Sequence, residues 1–152
     1  MIPATTERVA NSTSERINQQ IRRDTEESIR RCVAEGPKAI DRRLAELDRE
    51  WDVERLLETN ASSAVIVGSL LALTVDRRFM ILPALVGTFL LQHAVQGWCP
   101  PLPVIRELGF RTAAEIEEER YTLKALRGDF EDLRVEEAGD GVPARVLDAV
   151  RK

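Results

Sequence analysis

Residues 61–105 read ASSAVIVGSLLALTVDRRFMILPALVGTFLLQHAVQGWCPPLPVI, and their only Asp, Glu, Lys or Arg side chains are Asp76, Arg77 and Arg78, side by side near the middle. In a chain that is 32% charged, so long a gap marks a segment under a constraint of its own. Each half is apolar and approaches the ~20 residues with which a helix crosses ~30 Å of hydrocarbon. The charged triplet between them reads as a turn in water. The stretch predicts an all-α fold built on a two-helix transmembrane hairpin, with charged amphipathic helices before and after it.

The first membrane helix is expected from about Ala61 to Val75, with Thr59 and Asn60 as candidate caps. That length is short, about 22 Å. Counting from Leu56 brings it to about 30 Å, with Glu58 reaching toward head groups. Ala64, Gly68 and Ala72 recur every four residues, a small-residue stripe on which another helix can pack closely. The second helix is expected from about Phe79 to Trp98. Pro83 lies in its first turns, where few backbone bonds are lost. Ala84, Gly87 and Thr88 offer a face toward the first helix. Gln92, His93 and Gln96 interrupt the apolar run near its end, and Trp98 sits where an aromatic belt residue belongs. Beyond it, Pro100, Pro101 and Pro103 predict an extended segment.

Working outward, residues 1–13 read as a flexible N-terminus. Residues 14–58 read as two charged amphipathic helices, broken at Gly36-Pro37, where Gly suits a helix C-terminus and Pro the first turn of the next helix. Ile17, Ile21, Ile29, Cys32 and Val33 mark the inner face of the first. Ile40, Leu44, Leu47 and Trp51 mark that of the second, which is expected to reach Glu58. The hairpin with its Cys-Pro exit occupies 59–112. Thr112 and Glu115 have capping-box spacing ahead of a helix within 113–130, with Ile116, Leu123 and Leu126 inward and Gly128 closing it. Residues 131–152 form an acidic tail in which a short helix could start at Pro143.

Composition narrows the function classes. Residues 1–60 carry 11 Lys/Arg and 13 Asp/Glu, and residues 106–152 carry 9 and 12, so both flanks are mixed in sign and too polar to build a large core alone. The net charge of -4 and the lack of a basic block argue against nucleic acid as a partner. Cys32 and Cys99 lie far apart in unlike contexts and suggest no disulfide framework. The start of the chain is polar through Arg31, so no signal peptide is expected.

The acidic-basic lead-in Val53-Glu54-Arg55, the paired apolar segments, Gly97-Trp98-Cys99-Pro100 and the close Leu108-Gly109-Phe110-Arg111-Thr112 together resemble the YgaP-like inner-membrane domain family over residues 51–112. The resemblance implies a small two-helix anchor of the bacterial inner membrane that associates as a dimer. Some relatives sit beside a rhodanese domain that carries sulfur on a cysteine. This chain has no segment of that kind, so sulfurtransferase activity does not follow.

Cys99 is the candidate functional thiol, at the expected water–lipid boundary, with Gln92 and Gln96 on about the same helix face and His93 one position round. A thiol there could hold persulfide sulfur or meet a redox partner. The helix C-terminus disfavours its thiolate, which predicts an accessible but slow thiol. One His and one Cys fall short of the three or four ligands zinc needs, and no acid accompanies them to form a triad. No metal, cofactor or catalytic residue is therefore assigned, and an enzyme is not the expectation. The leading reading is a structural and interaction module of the membrane, a homo-oligomeric anchor or scaffold. Its partners would be membrane lipid, copies of itself and a protein bound through the charged helices. The alternatives are a membrane-interface sulfur or redox relay through Cys99, and a soluble helical bundle. Arg42, Arg43, Arg49, Arg55, Arg106 and Arg111 near the outer ends outnumber the two arginines of the turn, which favours cytoplasmic termini.

Overall fold

Asp52 begins the element on which the fold is built. Its side chain accepts a hydrogen bond of 2.7 Å from the Arg55 N–H, an N-cap that starts a helix running from Val53 to Thr74. The structure, a computed structural model, describes residues 4–131 together with 146, 147 and 150. Within them the fold is all-α: α1 Arg8–Asn11, α2 Glu15–Glu35, α3 Pro37–Leu47, α4 Val53–Thr74, α5 Ile81–Gln96, α6 Leu102–Glu107 and α7 Ala113–Arg127, with a 3-10 turn over Arg77–Met80 leading into α5. The chain divides into two compact units, Met1–Asp24 with Glu50–Ile116 and Thr25–Arg49 with Glu117–Lys152. Helices α2 and α7 contribute residues to both.

The first unit contains the hairpin. Helix α4 has 22 residues and the Arg77–Gln96 helix 20, about 33 and 30 Å, each long and apolar enough to cross a membrane. The Asp76 side chain accepts the Arg78 N–H at 2.8 Å and caps the turn between them. The start of α4 corrects the expected boundary. The second charged helix ends at Leu47 rather than Glu58, and the division placed at residue 59 falls inside α4. Asp52 out-competes Thr59 and Asn60 as the cap. Asn60 instead folds back along the helix and donates to the Leu56 carbonyl at 2.9 Å.

The two long helices are closest near their turn. A Cβ added to Gly68 would lie 2.7 Å from Cδ of Pro83, and Ala72 is buried one turn on. The opposing surface is not the one expected. Ala84, Gly87 and Thr88 are exposed, and a Cβ on Gly87 would meet nothing within 4 Å. Two small-residue faces would leave a void between them, whereas the Pro83 ring and Leu82 fill the hollow over Gly68.

The other end is closed by a small core of Val9, Val53, Leu57, Cys99, Leu102 and Ile105. Two expectations are corrected here. The proline-rich exit is not extended: Pro101 stands at the N-cap of α6 and Pro103 in its first turn, where a missing N–H loses no helix bond. The N-terminal segment is not free from Arg8 on, because α1 buries Val9. Gly97, at φ 77°, permits this, since a Cβ there would lie 2.3 Å from the Arg8 carbonyl oxygen.

Arg106, fully buried, joins these pieces. Its Nε donates to Thr13 Oγ1 at 3.2 Å, and Nη1 to the Phe110 carbonyl at 2.9 Å. Nη2 donates to Asn18 Oδ1 at 3.1 Å, and both Nη atoms reach the Glu115 carboxylate at 2.7 Å. Glu115 also completes the capping box, accepting the Thr112 N–H at 2.7 Å while Thr112 Oγ1 accepts the Glu115 N–H at 3.2 Å. Arg111 pairs in fork fashion with Glu50, at 2.7 and 2.8 Å, and its carbonyl takes the first N–H of α4.

In the second unit Ile40, Leu44, Leu47, Cys32 and Leu123 are buried. Among them the carboxylate of Glu119 is fully buried and is held by Arg43 at 2.8 and 3.0 Å and by Ser28 Oγ at 2.7 Å. Leu126, expected inward, is exposed, while Arg127 on the next position pairs with Asp41 at 2.6 Å. Residues 132–145, with the helix expected from Pro143, lie outside the described residues.

Burial pushes the Glu115 carboxyl up, but hydrogen bonds from Arg106 and from the Thr112 backbone outweigh it and hold the group below its ordinary value of 4.5. A depressed value in the folded state adds stability above the unfolded value and loses it as pH falls through the folded one. Denaturation of the full chain in mild detergent should steepen below about pH 4.5, and Glu115→Gln should flatten that limb. Arg106→Met should cost about 3–5 kcal/mol at neutral pH, because it strands the Glu115 charge. For the hairpin, Gly68→Leu should lower the thermal midpoint by several degrees while Gly87→Leu leaves it within error. Equal shifts would mean that the Gly68–Pro83 approach is not tight.

Candidate functional site

The two long helices part toward α6, and a cavity of about 440 Å³ opens between them. On α4 it is lined by Leu57, Asn60, Ala61 and Ala64, and on α5 by Val86, Phe89, Leu90 and His93. Each set repeats at three and four residues, the spacing of a single helix face. Cys99, Pro101, Val104 and Ile105 form the third wall. The two alanines leave the space, since larger side chains there would fill it. Asn60 and His93 are the polar side chains of a lining that is otherwise apolar apart from the thiol.

His93 is 4% exposed, and neither ring nitrogen has a hydrogen-bond partner. Its Nε2 lies 4.0 Å from Oε1 of Glu54, beyond hydrogen-bonding reach. The same Oε1 accepts from Arg8 Nη2 at 3.1 Å, while Glu54 Oε2 and Arg8 Nε are buried without partners. Four unsatisfied polar atoms thus meet beside one wall of the cavity, brought together from α1, α4 and α5. Buried polar atoms are rarely left so, and such a cluster calls for a water or a ligand atom.

The structure separates the polar positions that the sequence grouped with Cys99. Helix α5 ends at Gln96, and Gly97 turns left-handed, so Cys99 does not continue the helix face of Gln92 and Gln96. Gln96 is exposed, and its carbonyl accepts from Ser12 Oγ at 3.3 Å. Gln92 is half-buried. His93, not either glutamine, shares the cavity with the thiol. Cys99 itself is 3% exposed, which overturns the expectation of an accessible sulfur at the interface. Burial raises its thiol above the ordinary value, with a partial offset from the Leu102 N–H. The direction matches the expectation and the cause does not: the sulfur has left the helix end and entered the core.

Ala64, Gly68 and Ala72 divide between two tasks, since Ala64 lines the cavity while Gly68 and Ala72 pack at the turn end. Sequence reasoning missed Arg8, Glu54 and Asn60. Glu54 carried a signal, as a carboxylate in the first turn of an apolar helix, but Arg8 lies 46 residues away with nothing local to mark it. Among the described residues no group of three His, Cys, Asp or Glu is placed to hold a metal ion. No family model matches the chain, and neither does a curated protein or a solved structure.

A buried thiol with a raised titration point reacts slowly. In a Cys32→Ser background, maleimide labelling of Cys99 should still accelerate above pH 9, where a thiol at the ordinary value of 9.0 begins to level off. Labelling as fast as in the urea-unfolded chain would show the sulfur to be exposed.

Proposed function

We propose that this chain is an integral membrane structural and interaction module, a hairpin anchor whose charged helices engage a protein partner. One observation carries the reading. The two apolar helices pack against each other along a narrow strip, and only 17% and 6% of the residues in their most apolar stretches are buried. Leu73, Ile81 and Leu91 stand 80%, 75% and 66% exposed. A bundle in water would turn such residues inward, and lipid solvates them where they are. The charge-capped turn at one end and the ion-paired segments at the other bracket the apolar length, as the two faces of a bilayer require.

Finer points rest on the sequence. The arginine excess at the open end of the hairpin favours a cytoplasmic location for both flanks, with Arg77 and Arg78 on the far side. The motifs of residues 51–112 support a YgaP-like domain in a bacterial inner membrane. Homo-oligomers would form through the outward faces of α4 and α5, where close packing and polar contacts supply affinity in lipid. A thiol buried as Cys99 is gives the relay alternative little support.

Alkaline carbonate should leave the chain in the membrane pellet, and its release to the supernatant would reject the anchor in favour of a soluble bundle. Tags at either terminus should resist protease in cells whose outer membrane alone is permeabilised. Digestion of either tag would reject cytoplasmic termini.

A further inference from the structure

We propose that the cavity between α4, α5 and α6 binds a neutral single-chain amphiphile, with its apolar chain between the helices and its hydroxyl or carbonyl oxygen at His93. The proposal rests on the membrane reading and adds a ligand to it. Its first support is chemical match. The volume of about 440 Å³ lies within the range of small-molecule sites, and the walls are hydrocarbon over most of their area. A groove with walls this apolar, open on one side, takes apolar guests from its surroundings. Left empty, it would forfeit dispersion contacts along both helices.

The second support is independent. His93 is a wall residue, nine-tenths buried, with both nitrogens unpartnered, and it stands beside the equally unpartnered Glu54 Oε2 and Arg8 Nε. The terminal torsion of a histidine is broad and roughly two-fold, so the ring can present either a nitrogen or a carbon edge along the wall it forms. An imidazole nitrogen can then donate to or accept from a ligand oxygen. The charges of Arg8 and Glu54 are paired at 3.1 Å, so the polar end of the site offers hydrogen bonds without net charge. That favours a hydroxyl or ester head over a carboxylate or phosphate. Two sources share this chemistry, a free monoacyl or isoprenoid amphiphile and a chain borrowed from a bilayer phospholipid, and the uncharged head argues for the first.

Cys99 lines the cavity and reports its occupancy. The test uses the full chain with Cys32→Ser in phosphatidylcholine nanodiscs, N-ethylmaleimide as reagent and 1-monolauroylglycerol as probe. Monolauroylglycerol should slow Cys99 labelling at least about tenfold and saturably. Lauric acid at pH 8 and dilauroylphosphatidylcholine, a chain-matched phospholipid added to discs of a longer-chain phosphatidylcholine, should not at equal mole fraction. His93→Leu should raise the half-protecting mole fraction about five- to tenfold, the loss of roughly one hydrogen bond. Ala64→Phe should abolish protection by filling the groove, and Ala61→Phe serves where Ala64→Phe does not fold. Protection that never saturates, that lauric acid matches, or that survives both filling variants would overturn the proposal. Dilauroylphosphatidylcholine protecting as well as the probe would assign the groove to bilayer lipid and overturn the head-group assignment. Carbonate extraction of the same variants keeps the two readings apart, because a chain that stays in the pellet yet gives no saturable protection loses only the ligand.

Discussion

A guanidinium with no access to water is stable only if every N–H finds an acceptor, and Arg106 meets that demand with five hydrogen bonds. Its acceptors come from three places in the chain: Thr13 and Asn18 near the N-terminus, Phe110 after α6, and Glu115 in the first turn of α7. None can move without stranding a buried charge, so the requirement fixes all three segments together. Thr13 in turn donates to the Val9 carbonyl at 2.7 Å, and Asn18 to the Ala10 carbonyl at 2.9 Å. The network therefore positions α1, and α1 delivers Val9 to the core that closes the open end of the hairpin. The Gly97 backbone accepts the approach of Arg8 only because it carries no Cβ. A buried charge network thus helps to set the shape of an apolar cavity.

The same unit holds a second polar cluster with the opposite character. Arg8, Glu54 and His93 also meet in the interior, but four of their nitrogen and oxygen atoms lack partners. Satisfied networks make a core rigid, whereas buried atoms without a protein partner leave room for a water or a ligand atom to complete the set. The contrast matters because both clusters sit in one fold and draw on the same N-terminal helix. Where the architecture needs rigidity, the acceptors are supplied from within. At the cavity wall they are not.

The pair of long apolar helices was legible in the sequence, because 45 residues interrupted by one charged triplet leave few alternatives to two apolar helices and a turn. The Gly36-Pro37 break and the Thr112–Glu115 capping box were equally legible, since each is a local rule read within four residues. The failures share a cause as well. The apolar spacing from Ile40 to Trp51 carries straight past Leu47, and only the cap geometry of Asp52 reveals the break. Pro101 and Pro103 obey a local rule that points both ways, toward an extended chain or toward the first turn of a helix, and contact with Leu57 and Val53 decides between them. Cys99 was assigned to a helix face because Gly97, a residue type that closes helices, was read as a position within the second one, whereas it caps α5 in the left-handed region. Arg106 was counted among the arginines near the outer ends of the hairpin, and no local signal shows that it pairs with Thr13 and Asn18.

Close contact at one end and separation at the other are two halves of one design. Small residues at Gly68 and Ala72 let α4 approach Pro83, while farther along Ala61 and Ala64 leave a gap that α5 does not fill. Had Ala61 and Ala64 been leucines, the gap would have been filled from within. The actual sequence places Ala61 and Ala64 on the α4 wall and Phe89 and Leu90 on the α5 wall. That arrangement keeps the groove open at the end where polar atoms wait unpaired. An opening of this size costs packing energy at every wall atom, so its persistence in the fold is the physical reason to look for an occupant.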